Sequence, residues 1–448
     1  MRINKITAAL IAAPLLLLSS TTQAQSITEQ TKLISDSSSL SDSFGNTIDI
    51  DNNNIVVGAP RPLSRGAAFV FDSITGEQLF ELTTTNPLSS RAVFGSSIAI
   101  QGDLIAVGAP GQVEMGLKAG AVFLFDRITG SQIAKLLPQD GQEDAYFGYS
   151  VDIDDGVVAV GAYRANNEDA VVSGAIYLFD ASTGTQIAKL APDGIAPGDG
   201  FGTSVTIDNG LVAATSTFDN LGSVYVFDIK SGTQIAKLLP DENDGISVLF
   251  GASISLNNNT VVIGATYEFD KDTNVRSGSA YVFDVQSGEQ LAKLYPTPGD
   301  TLAFFGNSVA LNNNSIIVGA QLDYGTTISG AAYLFDASTY SLIAKLLPTE
   351  PLAGQQFGQS VSIQNDTIAI GSSKGGGQAL FYGSAYVLDI SDICTADIAA
   401  NGILNFFDAS AFLQAFTSND PIADFTNDDS FNFFDISAFL QAFSAGCP

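Results

Sequence analysis

Short runs of β-branched and aromatic residues alternate along most of the chain with turns rich in glycine, asparagine and aspartate. One stretch illustrates the pattern: residues 96–100 alternate in polarity, residues 104–107 are apolar throughout, residues 120–126 end in an aspartate, and residues 132–136 read Gln-Ile-Ala-Lys-Leu. Tight turns separate the first run from the second and the third from the fourth. Such runs and turns predict an antiparallel unit of four strands.

This pattern recurs seven times at nearly even spacing, and each copy begins with the pair Phe-Gly. The pairs start at Phe44, Phe94, Phe147, Phe201, Phe250, Phe305 and Phe357. A unit this short cannot bury its own apolar face, so its neighbours must cover it. We therefore predict an all-β, seven-bladed β-propeller. We interpret each phenylalanine as a wedge between units and each glycine as a place of close backbone approach.

The two ends of this repeat complement each other. The seventh unit stops after three strands, at Asp389, whereas the N-terminal Lys32 precedes Phe44 by the same offset as Lys135 precedes Phe147. We predict that the segment around Lys32 forms the outer strand of the last blade. This would close the ring and leave no long open sheet edge.

An aspartate ends the third strand of every unit, and a short turn follows it in six of them. These aspartates are Asp72, Asp126, Asp180, Asp228, Asp284, Asp336 and Asp389. A carboxylate in this place can accept a hydrogen bond from the backbone two residues on. We interpret the role as structural; catalysis or metal binding is the alternative.

Antiparallel strands send alternate connections to opposite faces of the predicted ring. The connections from strand one to two and from three to four are short, and they share what we call the short-turn face. The other connections are long and varied, and they share the long-loop face, where recognition usually resides. Acidic residues gather on it: Asp140, Glu143, Asp144, Glu168, Asp169, Asp241, Glu242, Asp244, Glu268, Asp270 and Asp272. We interpret them as solvated; calcium at Asp270, Asp272 and Asn274 is the alternative.

The N-terminal segment, residues 1–24, has the features of a cleaved secretory signal. Arg2 and Lys5 precede an apolar run at 6–18, and Ala24 is a small residue suited to cleavage. A retained membrane anchor is the alternative. Cleavage leaves 16 lysines and arginines against 47 acidic residues, a net charge of −31. This charge disfavours nucleic acid and anionic membranes as partners. The absence of histidine excludes Ser-His-Asp and Cys-His catalysis.

A second, shorter repeat follows the seventh unit. The segments 405–408 and 410–416 recur in the same order as 432–435 and 437–443. Phe, Leu and a second Phe at positions i, i+1 and i+4 of each copy predict the apolar face of a short helix. Two such helices can cover each other.

Each predicted helix follows a loop, at 397–408 and 424–435, with oxygen donors spaced as in calcium loops. The candidate ligands are Asp397, Asn401, Ile403, Asn405 and Asp408, and Asp424, Thr426, Asp428, Ser430, Asn432 and Asp435, with the backbone carbonyls of Ile403 and Ser430 at position 7. Ala399 at position 3 and Asp429 at position 6 depart from the pattern and predict weaker or water-mediated binding. Cys394 and Cys447 bracket both loops and are expected to form a disulfide. A disulfide-pinned helical hairpin without metal is the alternative.

Two resemblances follow from these motifs. Phe-Gly followed by Gly-Ala-Pro, intact at 58–60 and 108–110, resembles the FG-GAP repeat of integrin α-chain propellers, over roughly residues 26–390. Many such propellers carry a calcium loop between strands one and two. Here that connection is cut to tight turns such as 51–54, so those calcium sites are not carried over.

The doubled tail, ending in Gly-Cys-Pro, resembles a dockerin module over about residues 392–448. In dockerins, residues near loop positions 10 and 11 help recognise a cohesin partner. Those positions hold Phe406, Phe407, Phe433 and Phe434. Packing of these rings in the core is the alternative.

We divide the chain into a signal peptide (1–24), a propeller (25–391) and a small α-helical, dockerin-like calcium-loop module (392–448). The resemblances imply a secreted or cell-surface, non-enzymatic recognition or adhesion protein. Its propeller would bind an extracellular protein or glycan, and its tail would use calcium and a cohesin-like partner for anchoring or assembly. The alternatives are a polysaccharide-active enzyme that uses two carboxylates, and a purely structural extracellular component.

Overall fold

In the computed structural model of the protein, the described part of the chain forms a ring of seven sheets and two helices. The described residues are 31–35, 43–60, 65–85, 88–167, 171–219, 221–240, 249–269, 276–296, 303–322, 329–374, 383–391, 406–418, 423 and 431–445. The expected signal peptide, Cys394 and Cys447 lie outside them. None of the described helices is both long enough and apolar enough to cross a membrane.

Each sheet is one antiparallel blade of four strands. Blade 1 comprises β2 (Thr47–Asp51), β3 (Asn54–Ala59), β4 (Ala67–Asp72) and β5 (Gln78–Glu81). Blade 2 comprises β6 (Ile98–Gln101), β7 (Leu104–Ala109), β8 (Ala121–Asp126) and β9 (Gln132–Leu136). Blade 3 comprises β10 (Ser150–Asp154), β11 (Val157–Ala162), β12 (Ala175–Asp180) and β13 (Gln186–Leu190). Blade 4 comprises β14 (Phe201–Asp208), β15 (Leu211–Ser216), β16 (Ser223–Asp228) and β17 (Gln234–Leu238). Blade 5 comprises β18 (Phe250–Asn257), β19 (Thr260–Ala265), β20 (Ser279–Asp284) and β21 (Gln290–Leu294). Blade 6 comprises β22 (Phe305–Leu311), β23 (Ser315–Ala320), β24 (Ala331–Asp336) and β25 (Leu342–Leu346).

Blade 7 closes the ring as the sequence predicts. It comprises β26 (Phe357–Gln364), β27 (Thr367–Ser372), β28 (Ser384–Asp389) and the N-terminal strand β1 (Thr31–Leu33). Lys32 pairs with Tyr386 in an antiparallel register, and Leu33 is fully buried. The first strand of each blade contacts the first strand of the next, so these strands line the centre of the ring.

The phenylalanine of each Phe-Gly pair is buried and acts as the predicted wedge. Phe94 packs edge-on against Phe123 and Phe125, with ring centroids 5.7 and 6.0 Å apart, and shares an apolar cluster with Val56 and Val70 of the preceding blade. Burial of such a ring contributes about 1.5 to 3 kcal/mol. The prediction of close approach is also confirmed: a Cβ on Gly95 would lie 2.3 Å from the carbonyl oxygen of Ala67.

Hydroxyl groups of the first strands link neighbouring blades. Ser97 Oγ, for example, donates to the carbonyl oxygen of Gly148 over 2.9 Å. The same bond joins Thr47 to Gly95, Ser150 to Gly202, Ser253 to Gly306, Ser308 to Gly358 and Ser360 to Gly45. Backbone hydrogen bonds thus hold each blade together, and these side-chain hydrogen bonds connect one blade to the next.

The junction between blades 4 and 5 is built differently. Thr215 stands where Gly108 stands in blade 2, and its hydroxyl accepts a hydrogen bond from the backbone N–H of Ser204. Thr217 Oγ1 instead donates to the carbonyl oxygen of Gly251, over 3.1 Å. A Cβ on Gly108 would lie 2.1 Å from the Gly148 carbonyl oxygen, so a threonine fits only where the junction has been rebuilt.

The tail contributes two helices, α1 (Phe406–Ser418) and α2 (Phe433–Ala445). They cover each other as predicted, since the rings of Phe412 and Phe439 stack at 4.1 Å. The prediction placed a leucine on each apolar face, and this is wrong. Leu413 and Leu440 are each 55% exposed, because a residue at i+1 is rotated away from the face that i and i+4 share.

Candidate functional site

The lysines of the fourth strands anchor the long loops. In blade 3, Lys189 Nζ lies 5.4 Å from the ring centroid of Tyr177 and 2.7 Å from Asp140 Oδ2. The Tyr177 hydroxyl also donates to Asp140, over 3.1 Å. The same lysine-over-ring contact occurs as Lys32 on Tyr386, Lys135 on Phe123, Lys237 on Tyr225, Lys293 on Tyr281 and Lys345 on Tyr333.

Blade 5 holds the most buried of these contacts. Glu268 is 2% exposed and accepts hydrogen bonds from Lys293 Nζ at 2.5 Å and from the Tyr281 hydroxyl at 2.8 Å. Burial by itself would lower the pKa of Lys293, but the hydrogen bonds with Glu268 and Tyr281 raise it on balance. The interpretation of Glu268 as a solvated carboxylate is therefore wrong.

Other acidic residues of the long-loop face also serve lysines. Asp140 pairs with Lys189, and Asp144 lies 3.7 Å from Lys118. Among the residues that the structure describes, no three acidic or thiol side chains cluster as a metal site would require. Glu168, Asp169, Asp241, Glu242, Asp244, Asp270, Asp272 and Asn274 lie outside those residues.

A strained backbone position recurs on the same face. The residue before each Phe-Gly pair has a positive φ, and it lies where the chain enters an innermost strand. These residues are Ser43, Val93, Tyr146, Gly200, Leu249, Phe304 and Gln356. The left-handed region is unfavourable for a β-branched residue such as Val93, at φ 57°. Strain of this kind is frequent at functional sites. Here it recurs in every blade and belongs to the Phe-Gly repeat.

Two of these residues belong to aromatic clusters that carry cations. In the first, which we call the Tyr146 patch, the rings of Tyr146, Tyr149 and Tyr163 lie 4.6 to 5.3 Å apart along a chain of contacts. Lys118 and Arg164 lie over the Tyr146 ring, at 5.3 and 5.8 Å. Tyr149 is 42% exposed, and the partial burial of its hydroxyl end raises its pKa.

The second cluster, the Arg276 patch, joins blades 5 and 6. The guanidinium of Arg276 lies 4.8 Å from the ring centroid of Phe269 and 5.2 Å from that of Tyr267. Phe304 meets Tyr267 edge-on at 4.8 Å. Backbone bridging between Phe269 and Arg276 fixes the base of this loop. In the described part of the chain, neither Arg276 nor Arg164 forms an ion pair with a carboxylate.

Other exposed apolar side chains lie on the long loops of several blades. They are Val113, Met115, Leu117, Val171, Phe218, Leu221, Leu239, Tyr295, Leu347 and Leu352. Aromatic residues, methionine and arginine are enriched at protein interfaces. The two patches and the exposed apolar loop residues therefore resemble an interaction surface, although the face as a whole also carries many acidic residues.

The wall of the central opening contains two carboxyl groups that the sequence did not single out. Asp49 accepts hydrogen bonds from the backbone N–H of Ile100 and the hydroxyl of Ser362, both at 2.8 Å. Asp152 accepts one from the N–H of Ile207 at 2.9 Å. Burial raises the pKa of Asp49 to about 6 and that of Asp152 to about 7. Raised pKa values suit an acid catalyst, but both groups are used to join blades.

The aspartates on the short-turn face have the predicted structural role. Asp126 Oδ1 accepts hydrogen bonds from the N–H groups of Ile128 and Thr129 and from the Thr129 hydroxyl, at 2.8 to 3.1 Å. These bonds lower the pKa of Asp126. The connection between β2 and β3 is a tight turn in which Asn52 and Asn53 both have positive φ, which leaves no room for a calcium loop.

The tail's described site residues cap a helix. Asn432 Oδ1 accepts from the N–H of Phe434, and the N–H of Asn432 donates to Asp435 Oδ2, both at 2.8 Å. This reciprocal pair is a capping box. Phe433 and Phe434 are 73% and 67% exposed, so the alternative of core packing is wrong for these two rings.

Most of the tail's other predicted residues cannot be placed. Asp397, Asn401, Ile403, Asn405, Asp424, Thr426, Asp428 and Ser430 lie outside the described residues, as do the side chains of Phe406, Phe407 and Asp408. The predicted calcium site therefore stays a prediction.

Comparison with known families supports the repeat assignment. The family model described as FG-GAP repeat matches residues 27–71, 86–125, 131–179, 185–227, 233–283, 289–335 and 340–388. Six of the seven matches run from the outer strand of one blade through the third strand of the next, and all seven stop before the tail helices. A search of curated proteins found no match.

Proposed function

The chain belongs to the FG-GAP repeat family, and from this premise we propose that it is an exported, non-enzymatic recognition or adhesion protein that binds its partner through the long-loop face. The observation that carries the proposal is the pair of aromatic–cation patches, held on strained backbone beside exposed apolar loops. The hydrogen-bonded blades fix the strands between which these loops run, and a fixed framework reduces the entropy lost on binding.

Binding of the full chain to arrayed extracellular proteins and glycans tests this proposal. We expect Tyr149→Ser, which removes an exposed ring of the Tyr146 patch, to weaken any binding that the wild type shows. Ile128→Ser is the matched control, since it removes an exposed apolar side chain from the short-turn face. If both substitutions weaken binding equally, or neither does, the long-loop face is not the recognition surface.

We assign the tail to calcium-dependent anchoring or assembly, with Phe433 and Phe434 as exposed contacts for a cohesin-like partner. Two exposed rings at the start of a helix have no role in the helix's own packing, which supports a partner-binding role. Titration of the full chain with calcium tests the metal. We expect Asp397→Ala with Asp424→Ala to abolish the heat of binding. If Asp270→Ala with Asp272→Ala abolishes the heat instead, the calcium site lies on the blade 5 loop and not in the tail.

A carboxylate-dependent, polysaccharide-active enzyme is the second candidate. Asp49 and Asp152 favour it through their raised pKa values, but their hydrogen bonds to neighbouring blades explain both groups without catalysis. Release of reducing ends from polysaccharides, abolished by Asp152→Thr, would establish the enzyme.

A further inference from the structure

Among the residues that the structure describes, Arg276 is a cation without a carboxylate partner, in a strongly acidic protein. The chain carries 47 acidic residues against 18 lysines and arginines, and fourth-strand lysines on the long-loop face pair with acids such as Glu268, Asp140 and Asp219. Arg276 has no such partner among the described residues, although it is half-buried. A guanidinium in that setting is suited to bind an anion.

The rings around Arg276 hold it in one orientation. Tyr267 and Phe269 contact the guanidinium through their ring faces, at 5.2 and 4.8 Å, and Phe304 supports Tyr267 edge-on. Contact with aromatic faces leaves the N–H groups at the edge of the guanidinium plane free for hydrogen bonding, and a carboxylate can accept two of them at once. Since the rings are already covered by the protein's own cation, the patch is suited to an anion and not to a second cation.

The exposed side chains of the long-loop face as a whole favour a protein over a glycan as the source of that carboxylate. Aliphatic side chains such as Leu117, Val171 and Leu221 dominate the exposed apolar residues of the long-loop face, and the chain has no tryptophan. Aliphatic groups contribute by burial against other apolar side chains, whereas sugar rings stack on flat aromatic surfaces.

On the basis of the proposed recognition role, we propose that the long-loop face binds a protein segment bearing an aspartate or glutamate, whose carboxylate is received by Arg276 between Tyr267 and Phe269. Arg164, exposed over Tyr146, supplies a second positive group on the same face. The partner's carboxylate complements the local positive charge of Arg276 and Arg164.

A displayed library of random peptides, panned on the full chain, tests the inference. We expect the selected peptides to be enriched in aspartate and glutamate. Arg276→Gln is expected to weaken their binding by about 10- to 100-fold, as expected for loss of a charge-assisted hydrogen-bonded pair. Arg276→Lys keeps the charge but lacks the planar guanidinium, so we expect it to weaken peptide binding by less than Arg276→Gln does. Lys230→Gln removes the same charge from the short-turn face and leaves binding unchanged.

A double-mutant cycle separates direct contact from a structural role of Arg276. Replacing the peptide's acidic residue by its amide has little further effect on the Arg276→Gln variant if the two groups touch, whereas independent losses overturn the proposed contact. The melting temperature of each variant identifies a loss of folding.

The remaining outcomes are distinct. Peptides without acidic residues overturn the inference and leave the recognition role standing. Binding of acidic glycans alone overturns the protein class. An absence of binding to peptides, proteins and glycans overturns the recognition role itself.

Discussion

The two faces of the propeller are built from the same repeat but in opposite ways. On the short-turn face, six blades use the same aspartate-capped turn, and the first-strand ends are joined by polar contacts such as Gly102 N–H to Asp51 Oδ2, at 2.7 Å. On the long-loop face the loops differ from blade to blade, and the fourth-strand lysines of blades 2 to 5 pair with acids at different loop positions. The repeated turns satisfy the backbone hydrogen bonds of the short-turn face, whereas the varied loops of the other face leave side chains exposed.

The contrast is clearest in the aspartates. Those of the short-turn face are partly exposed, and local hydrogen bonds lower their pKa values, as at Asp126 and Asp180. The pKa values of those in the wall of the opening, Asp49 and Asp152, are raised by burial. The same residue type thus stabilises a turn in one place and a blade junction in the other, with opposite dependence on pH.

Removal of the closing strand should affect both faces and have the largest effect. Deletion of residues 25–34 removes β1, exposes the edge of β28 and withdraws the buried Leu33. We expect the free energy of unfolding to fall by several kcal/mol and the melting temperature to drop sharply, because the deletion removes a strand of the sheet and its buried apolar contacts. A chain beginning at residue 25 is the control. Equal melting temperatures for the two chains would show that ring closure contributes little.

Breaking the buried anchor of blade 5 should be the next largest effect. Glu268→Gln removes the buried carboxylate of the Glu268–Lys293 ion pair, and removing one partner of such a pair lowers the free energy of unfolding by about 3 to 5 kcal/mol. Urea unfolding measures this cost. The half-exposed anchor of blade 3 is the control, and Asp140→Asn is expected to cost about 1 kcal/mol or less.

The double variant Glu268→Gln with Lys293→Met removes both charges. We expect it to recover part of the loss, since no uncompensated charge remains buried. If the double variant is as unstable as the single one, the ion pair does not account for the cost.

Neutralising Asp152 should change how stability depends on pH. Its folded-state pKa of about 7 lies above the unfolded value of 3.8, so its contribution is complete below about pH 4 and is lost as the pH rises to about 7. Asp152→Thr copies Thr206, which accepts the equivalent N–H bond in blade 4. As the pH rises from 5 to 8, we expect the free energy of unfolding of the variant to increase, relative to that of the wild type, by on the order of 1 to 2 kcal/mol. Urea unfolding at both pH values gives the difference, and parallel curves would refute the burial of a titrating carboxyl group.

Removal of a turn aspartate should have the smallest effect and the opposite sign. Asp126→Ala loses three local hydrogen bonds on an exposed turn. Because the folded pKa of Asp126 is lowered, its stabilisation is present above the unfolded value and is lost as the pH falls through the folded one. The melting temperatures of the variant and wild type are therefore expected to differ at pH 7 and to converge in acid. Convergence at neutral pH would show that the turn does not need the carboxylate.

The sequence predicted the blades well because each strand and turn is specified by neighbouring residues. The alternation in Val151 to Ile153, the apolar run of β7 and the turn after Asp72 need only local information. Closure was predictable too, since Lys32 keeps the spacing of its repeat. The faces of the tail helices were only partly predicted, because Leu413 follows Phe412 in sequence but points elsewhere.

The candidate site was predicted less completely. Its location on the long loops follows from topology, but its residues do not. Tyr146 and Tyr163, or Tyr267, Phe269 and Arg276, become neighbours only when different loops meet. Glu268 looked like any acidic loop residue until the fold placed it beside Lys293.

By itself, the sequence determined the number of blades, the order of strands, the closing segment and the division of connections between two faces, because all of these depend on spacing and local turn chemistry. Only the tertiary structure decided which cations are paired, which carboxyls are buried and which rings are exposed. Burial and ion pairing depend on side chains brought together from distant parts of the chain, and no local pattern encodes their contact.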